Sequence, residues 1–324
     1  MASSTIGPFP DSGTPVDEVV RELDAKRDND VRWAEGRTFG LVFDGGDEVR
    51  DVAERAARLF LHENALNTSA FPSLGEIQSE LCGWTADLLH GPPETAGFLT
   101  SGGTESILCA VEAARERARA ERSVAEPEIV LAESAHAAFH KGAHLFGLRT
   151  RMVPVTDDWT VDLDAMADAV GPNTALVVAS APQCPQGVVD PVAEIAELAA
   201  GVGASCHVDA CMGGFVLPFA SIEEPDAWGS PPWDLAVEGV TSISADLHKL
   251  GYAPKGASVI LHRSRRLRRY QTFDFDGWLG GRYVTPNLQG TRSGLPMAAA
   301  WAVVRHLGTD GYRRLVRSAI ETAD

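Results

Sequence analysis

A lysine that follows a strand-forming segment is the residue of this chain best suited to covalent chemistry. Lys249 comes after residues 240–243 and lies in a loop rich in glycine and proline. Lysines are rare, making up four of the 28 lysine and arginine residues, and Lys255 shares this loop with Lys249. A lysine amine can lose its proton and attack a carbonyl carbon, which an arginine guanidinium cannot do. The pattern indicates a carbonyl-binding amine, and two solvated loop lysines are the alternative.

Three further groups of polar residues follow apolar segments. Gly102, Gly103 and Thr104 lie between a predicted strand and a predicted helix. Backbone N–H groups and the helix dipole at such a turn can bind a phosphate, although a glycine pair can also serve only as a tight turn. Asp209 ends an apolar segment, so its carboxylate either caps a turn or needs a cationic partner. His136 lies at another strand-to-helix turn, where an imidazole can cover a flat ligand.

These groups together describe one ligand. It is flat, phosphorylated, cationic at a ring nitrogen and carries an aldehyde, and pyridoxal 5′-phosphate has all four properties. A metal site is the competing interpretation, because His136, His140 and His144 recur every four residues. No carboxylate or thiolate joins these histidines at ligand spacing. The sequence therefore predicts pyridoxal phosphate as the cofactor and no metal.

The composition excludes several classes of function. The net charge of −17 argues against nucleic acid or an anionic membrane surface as the main partner. The five cysteines include no CxxC pair, which is typical of reduced thiols and not of disulfides or a zinc site. No apolar segment reaches membrane-spanning length, and the N-terminus lacks a signal-peptide core. We predict a soluble, cytoplasmic protein, and the charge says little about a small substrate, since a local site can be positive on an acidic protein.

The elements that must position these residues alternate along the chain from about residue 91. Short apolar segments alternate with helical patterns, and the apolar segments are too continuous for strands with one exposed face. The pattern predicts an α/β fold with a mostly parallel sheet of about seven strands, covered by helices. The predicted strands cover residues 96–100, 128–132, 150–155, 175–180, 205–209, 241–244 and 257–261.

Three regions are predicted along the chain. Residues 1–72 form an N-terminal arm and helices, and residues 73–290 form the large cofactor-binding α/β domain. Residues 291–324 begin a C-terminal segment. Its last helical pattern, YRRLVRSAIETAD, has no capping residue, which predicts an incomplete small domain.

Six ordered motifs make the sequence recognisable. They are TSGGTES (100–106), SAHAAFHK (134–141), SAPQCPQGVVDP (180–191), HVDACMGGF (207–215), SADLHKLGYAPKG (244–256) and GTRSG (290–294). With these motifs the chain, over about residues 36 to 300, resembles the sphingosine-1-phosphate lyase branch of the group II pyridoxal-phosphate decarboxylases. The resemblance implies a fold-type I enzyme that is a homodimer with active sites at the subunit interface.

The resemblance also implies a role for each motif residue. Lys249 should bind the aldehyde of the cofactor, His136 should stack on its ring, and Asp209 should pair with the ring nitrogen. Cys211 should pack near the other ring face. The remaining predicted cofactor contacts are phosphate ligands and their neighbours: Gly102, Gly103, Thr104, Ser180 and His248 of one subunit, with Gly290 and Thr291 reaching over from the partner.

Two residues bear on the substrate. Asn67 stands where the lyases usually have a histidine, and Lys255 is positioned to contact an anionic substrate group. Cleavage of a carbon–carbon bond, as in the lyases, is the leading hypothesis. Decarboxylation of an amino acid is the first alternative, since the cofactor-binding motifs are shared. An inactive, cofactor-binding fragment is the second.

Overall fold

The computed structural model describes residues 9–225 and 231–323. The described chain divides into two compact units, the first ending at Val42 and the second beginning at Phe43. The first unit contains helix α1 (Val16–Ala25), which is exposed along its length, and a 3-10 turn at Trp33–Glu35. The predicted site residues all belong to the second unit.

A seven-stranded sheet forms the centre of the second unit. Every predicted strand is present, and no boundary is displaced by more than two residues. The central strands β2, β4, β5, β6 and β7 are buried along their whole length, and the nearly continuous apolar sequences of β2 and β4 agree with burial on both faces. In chain order the strands are β1 (Ala96–Thr100), β2 (Glu128–Ala132), β3 (Arg149–Val153), β4 (Thr174–Ser180), β5 (Ser205–Asp209), β6 (Ser242–Ala245) and β7 (Ser258–His262).

The strand directions bring the polar turns together. The spatial order is β1-β7-β6-β5-β4-β2-β3, and the pairs from β6 through β3 are parallel. Strand β7 is antiparallel to both neighbours, β1 and β6, so β1 runs in the same direction as β6. The loops that follow β1, β2, β4, β5 and β6 therefore open at one edge of the sheet, where parallel α/β folds bind ligands. The mostly parallel α/β prediction is confirmed.

Helices cover both faces of this sheet. The longest, α10, breaks its helical geometry at Gly308 (φ 53°) and packs against α2, α3 and α8. A short hairpin of β8 (Phe273–Phe275) and β9 (Tyr283–Thr285) precedes it. In the described residues of this unit, the α-helices are α2 (Asp47–Leu59), α3 (Pro72–Leu88), α4 (Gly103–Arg122), α5 (Ala138–Phe146), α6 (Leu163–Ala169), α7 (Val192–Gly201), α8 (Leu217–Glu223), α9 (Arg265–Arg268) and α10 (Leu295–Ala323).

Candidate active site

The turn after β6 places the Lys249 amine beside a buried carboxylate. Nζ of Lys249 lies 3.0 Å from Oδ2 of Asp246, whose side chain is 1% exposed. Burial by itself would lower the pKa of Lys249, but the charge of the adjacent Asp246 carboxylate opposes burial, and the pKa is raised above its ordinary value. Lys249 is therefore a cation at neutral pH in this structure, held against Asp246.

Helix α10 contacts the turn that carries Lys249 and stabilises it. The buried hydroxyl of Tyr312 donates to the carbonyl of Gly251 at 3.0 Å. Tyr252 has a positive φ of 59°, a conformation that costs a non-glycine residue about 1–2 kcal/mol unless its surroundings hold it. Its ring packs near that of Tyr312, with centroids 6.4 Å apart. The α10 contacts thus stabilise the bend that presents Lys249.

The phosphate cradle, residues 102–104, connects β1 to α4. A Cβ atom on Gly103 would lie 2.7 Å from Sγ of Cys211 and 2.8 Å from Oδ2 of Asp246. A Cβ atom on Gly102 would lie 3.1 Å from Cε1 of His248. Glycine is needed at Gly103 because the backbone passes too close to these side chains for any larger residue. The first N–H groups of α4 have no acceptor within the helix, so they are available to an anion.

Replacing Gly103 by alanine is expected to weaken cofactor retention. The added methyl group must displace the Cys211 or Asp246 side chain, and overpacking of this kind costs about 1–3 kcal/mol. Equilibrium dialysis of the cofactor should show a roughly tenfold or larger loss in affinity. Gly83→Ala is the matched control, since a Cβ on Gly83 in α3 meets nothing within 4 Å. Equal affinities for the two variants would contradict the steric argument.

His248 is held as a neutral hydrogen-bond donor. Its Nδ1 accepts the backbone N–H groups of Gly256 (3.3 Å) and Ala257 (3.1 Å), so in the neutral ring the proton is on Nε2. Burial lowers the pKa of His248, which favours this neutral form. The ring edge faces Gly102 of the phosphate cradle. His248 is therefore positioned to donate Nε2–H to a phosphate.

The ring of His136, which lines the same cavity as His248, is held in the same way. Its Nδ1 accepts the backbone N–H of Ala138 at 3.1 Å, at the beginning of α5. This bond fixes the ring orientation and leaves Nε2 as the N–H donor of the neutral ring.

Asp209 ends β5 with its carboxylate almost fully buried. Oδ1 accepts the backbone N–H of Cys211 at 3.1 Å and the hydroxyl of Ser244 at 3.5 Å. Burial, reinforced by Asp209 and Asp246, raises the pKa of the Cys211 thiol, so Cys211 stays uncharged. Asp209 is positioned to receive a cationic ring nitrogen.

One cavity of about 370 Å³ brings most of the predicted site residues together. Of the thirteen residues predicted to bind cofactor or substrate or to act in catalysis, eight line it: Gly102, Gly103, Thr104, His136, Asp209, Cys211, His248 and Lys249.

The other five do not line this cavity. Ser180 is buried at the end of β4, where its N–H donates to Asp190 at 2.8 Å. Gly290 lies beside the Tyr283 hydroxyl. Thr291, next to Gly290, is exposed. For both residues, the contact with a partner's site stays a prediction.

The two predicted substrate residues make local contacts instead. Oδ1 of Asn67 accepts the N–H groups of Ser69 and Ala70, at 3.0 and 3.2 Å, and so stabilises its own turn. Nζ of Lys255 donates to the carbonyl of His248 at 2.6 Å and lies 4.9 Å from the ring centroid of Phe43. Their substrate contacts also stay predictions.

Several lining residues were missed by the sequence reasoning. The most important is Asp246, whose buried Oδ2 lies 3.0 Å from Lys249 Nζ while its buried Oδ1 has no hydrogen-bond partner among the described residues. Its position three residues before Lys249, inside the SADLHK motif, was the available signal. Glu105 also lines the cavity and accepts from both the N–H and the hydroxyl of Ser101, at 2.7 and 2.8 Å. Cys184 lines it as an exposed thiol.

Residues 9–225 and 231–323 contain neither a metal-binding cluster nor a membrane-spanning helix. No cluster of three or more histidine, cysteine, aspartate or glutamate side chains could hold a metal ion. No helix in those residues is both long and apolar enough to span a bilayer.

The site and fold are matched by known proteins. Residues 49–324 match the pyridoxal-dependent decarboxylase conserved domain. The chain belongs to this decarboxylase family. Sphingosine-1-phosphate lyase 1 of Rattus norvegicus is 42% identical over 315 residues, covering 97% of this chain and 55% of the rat protein. The structure of the Burkholderia pseudomallei sphingosine-1-phosphate lyase superimposes with a TM-score of 0.94 at 39% identity, over 99% of this chain and 75% of that one.

A decarboxylase is also among the relatives of this family member. The probable L-aspartate decarboxylase of Pyrococcus abyssi is 34% identical over 313 residues, covering 97% of this chain and 79% of the archaeal protein. The chain therefore spans about half the length of the rat lyase and about four-fifths of the decarboxylase.

The family cofactor is pyridoxal phosphate, and the residues of the cavity fit it. Gly103 and Thr104, at the N-terminus of α4, line the cavity with backbone N–H groups suited to a phosphate, and Lys249 supplies the amine that the aldehyde needs. Asp209 would hold the ring nitrogen, with Lys249 at the aldehyde. Residues 102–104 and His248 would hold the phosphate. When bound, the cofactor withdraws electrons from a bond at the substrate's α-carbon.

Proposed function

We propose that this chain is a pyridoxal-phosphate-dependent lyase that cleaves the carbon–carbon bond next to the amine of a phosphorylated long-chain base. The observation that carries this proposal is similarity to sphingosine-1-phosphate lyases at 42% and 39% identity, together with one cavity that assembles eight predicted site residues. A member of this class removes a proton from a substrate hydroxyl while the carbon–carbon bond breaks.

The residues of the cavity supply the remaining parts of such a reaction. The Asp209 carboxylate stabilises positive charge on the ring nitrogen. Lys249 Nζ can hold or release a proton within the cavity, and Asp246 at 3.0 Å stabilises its charged form. His136 lines the cavity, and its Nε2–H is available as a hydrogen-bond donor. Each group is held by hydrogen bonds or ion pairs to a rigid turn, which is what preorganised catalysis requires.

Amino-acid decarboxylation is the second candidate. The Pyrococcus abyssi relative favours it, because this chain matches 79% of that protein's length. The two reactions differ in which substrate bond is held perpendicular to the cofactor ring. A lyase holds the bond to the β-carbon there, and a decarboxylase holds the bond to the carboxylate.

Lys255 is proposed to bind the anionic group of the substrate. Among the residues that the structure describes, it makes one hydrogen bond, to the carbonyl of His248, so the ammonium retains N–H groups with which to contact an anion. Burial lowers the pKa of Lys255, with Lys249 adding to the effect and Asp246 opposing it. Asn67, in place of a histidine, supplies no positive charge of its own.

Lys255→Ala is expected to weaken use of a phosphorylated long-chain base about tenfold to a hundredfold. A charge-assisted hydrogen bond contributes roughly 1.5–3 kcal/mol, which sets this range. The purified protein is offered phosphorylated long-chain bases and common amino acids, and aldehyde, phosphoethanolamine and carbon dioxide are measured. Lys141→Ala, which removes an exposed lysine of α5 outside the cavity, is the control.

Three outcomes of this experiment separate the candidates. If aldehyde and phosphoethanolamine are produced, and their rate of formation falls in Lys255→Ala but not in Lys141→Ala, the lyase is supported. Carbon dioxide from an amino acid, unchanged in Lys255→Ala, overturns it in favour of the decarboxylase. Bound cofactor with neither product indicates a cofactor-binding chain without turnover.

A homodimer with shared sites is proposed as the working assembly. Gly290 and Thr291 lie outside the cavity of their own chain, and the neighbouring β8–β9 hairpin exposes Phe273, Phe275 and Trp278. Exposed apolar side chains of this size are typical of interfaces. Light scattering that gives the mass of one chain at assay concentration would refute the dimer.

A cytoplasmic location is also proposed. All five cysteines are free thiols, which suits a reducing compartment. Cell fractionation tests this.

A further inference from the structure

Three buried polar side chains, Ser242, His207 and Ser244, form a hydrogen-bonded row that ends at Asp209. His207 and Asp209 are two residues apart on β5 and so share one face of the sheet. Ser242 and Ser244 on β6 are their direct partners, in the register His207 to Ser242 and Asp209 to Ser244. His207 and Ser244 are 0% exposed. Buried groups of this kind must satisfy one another, because water does not reach them.

The hydroxyl of Ser244 has three polar neighbours, and only one arrangement of protons serves all of them. Its oxygen lies 3.2 Å from Nε2 of His207, 3.3 Å from Sγ of Cys211 and 3.5 Å from Oδ1 of Asp209. A hydroxyl has one hydrogen and two lone pairs. The ionised carboxylate can only accept, and the uncharged thiol donates. Ser244 therefore donates to Asp209 and accepts from both Cys211 and His207.

This arrangement determines the tautomer of His207. Burial lowers its pKa to about 3, with His262 adding a smaller effect, so the ring is neutral and carries one N–H. Since Ser244 must accept, that hydrogen is on Nε2. Nδ1 then accepts the hydroxyl of Ser242, which lies 2.9 Å away. Three hydrogen bonds in sequence, Ser242 to His207 to Ser244 to Asp209, all point toward the carboxylate.

We propose that Ser244 and His207 are positioning residues that keep Asp209 ionised as the partner of the cofactor's ring nitrogen. A donor on Oδ1 stabilises the carboxylate charge and lowers its affinity for a proton. Polarisation along the row strengthens that donor. The proton shared between Asp209 and the ring is then held on the nitrogen and not on the carboxylate. This inference rests on the proposed role of Asp209 but not on which substrate bond is cleaved.

The first test measures where that proton lies in the cofactor-loaded protein, without substrate. Cofactor labelled with ¹⁵N in the ring and protein labelled with ¹³C at aspartate carboxyls are examined by NMR. In Ser244→Ala we expect the ring-nitrogen signal to move toward neutral pyridine and an aspartate carboxyl signal to move toward the protonated form. Loss of one charge-assisted bond should change the ratio of the two sites roughly tenfold, equivalent to about one pKa unit.

The matched control is Ser258→Ala. Ser258 is a 0% exposed hydroxyl in the same sheet, hydrogen-bonded to Ser106 at 2.8 Å and not in contact with Asp209. His207→Gln provides a rescue, because the amide can still donate to Ser244, whereas His207→Leu cannot. We expect the ring-nitrogen signal of His207→Gln to resemble that of the wild type, and the signal of His207→Leu to resemble that of Ser244→Ala. Identical nitrogen signals in Ser244→Ala, Ser258→Ala and wild type would overturn the proposal.

A second measurement is made on the wild-type protein and so does not depend on whether a variant folds. The ¹⁵N spectrum of the histidine rings in the wild-type protein distinguishes the two tautomers, and His207 is identified by its contact with the ring of Phe139, 5.9 Å away between centroids. Finding the proton on Nε2 supports the row described above. Finding it on Nδ1 would break the donor chain to Asp209 and overturn the proposal. Neither result depends on whether the protein is a lyase or a decarboxylase, so failure here and failure of the proposed function are distinguishable.

Discussion

Lys249→Ala is expected to lose covalently attached cofactor and nearly all turnover. Among the residues the structure describes, Lys249 is the one lysine that lines the cavity. Its amine is the proposed attachment point for the aldehyde, and it can hold or release a proton within the cavity. Removal of a positioned acid–base group alone typically costs about 10²–10⁴-fold in rate.

The measurement is borohydride reduction followed by peptide mapping. In the wild type the reduced cofactor should be found on the peptide that contains Lys249, and the yellow colour should bleach. Lys141→Ala is the control and should retain both label and turnover. A label on Lys255 or Lys141 in the wild-type protein would show that the assignment is wrong.

Asp209→Asn is expected to retain cofactor but lose most turnover. A neutral amide cannot stabilise a positive ring nitrogen, so the bound ring loses its proton and withdraws electrons less strongly. Each pKa unit lost at the nitrogen corresponds to about 1.4 kcal/mol, and a loss of two to three units gives roughly a hundredfold to thousandfold slower reaction. The amide is nearly the same size as the carboxylate, so the cavity keeps its shape.

Cofactor occupancy by absorbance and turnover are measured on the same sample. Asp234→Asn is the matched control, because Asp234 is also a buried carboxylate but pairs with His90 at 2.7 Å, outside the cavity. It should lose some stability and keep its turnover per bound cofactor. Near wild-type turnover of fully loaded Asp209→Asn would refute the role of the carboxylate.

The sheet was predictable because its signal is local. Strands such as residues 129–132 and 175–179 are apolar throughout and buried, and a short continuous apolar run is the signal of a strand covered on both faces. Boundaries shifted where polar residues continue a strand, as at Thr174 and His262. Backbone pairing with the neighbouring strand, which is not encoded at those positions alone, decided where these strands end.

The cavity was predictable to the extent that its residues lie at strand ends. Lys249, Asp209, His136 and the glycines each follow a strand, and parallel strands bring their carboxyl ends to one edge. Lys255 and Asn67 show the limit of that reasoning. Their positions in the sequence did not predict the contacts they make. Lys255 donates a hydrogen bond to the carbonyl of His248, and Asn67 stabilises its own turn.

The sequence by itself determined the fold class, the family, the cofactor and the amine that is expected to bind it, because rare residue types at strand ends suffice for these. Only the tertiary structure decided the electrostatics of the site. The charged state of Lys249 depends on the distance to Asp246, and the proton positions on His248 and His207 depend on which donors and acceptors lie opposite them. Ser244 reaches Asp209 across 35 residues of chain, because β5 and β6 are neighbours in the sheet. Hydrogen bonds and ion pairs act over about 3 Å in space, so partners that are distant in the chain become known only when the strands are paired.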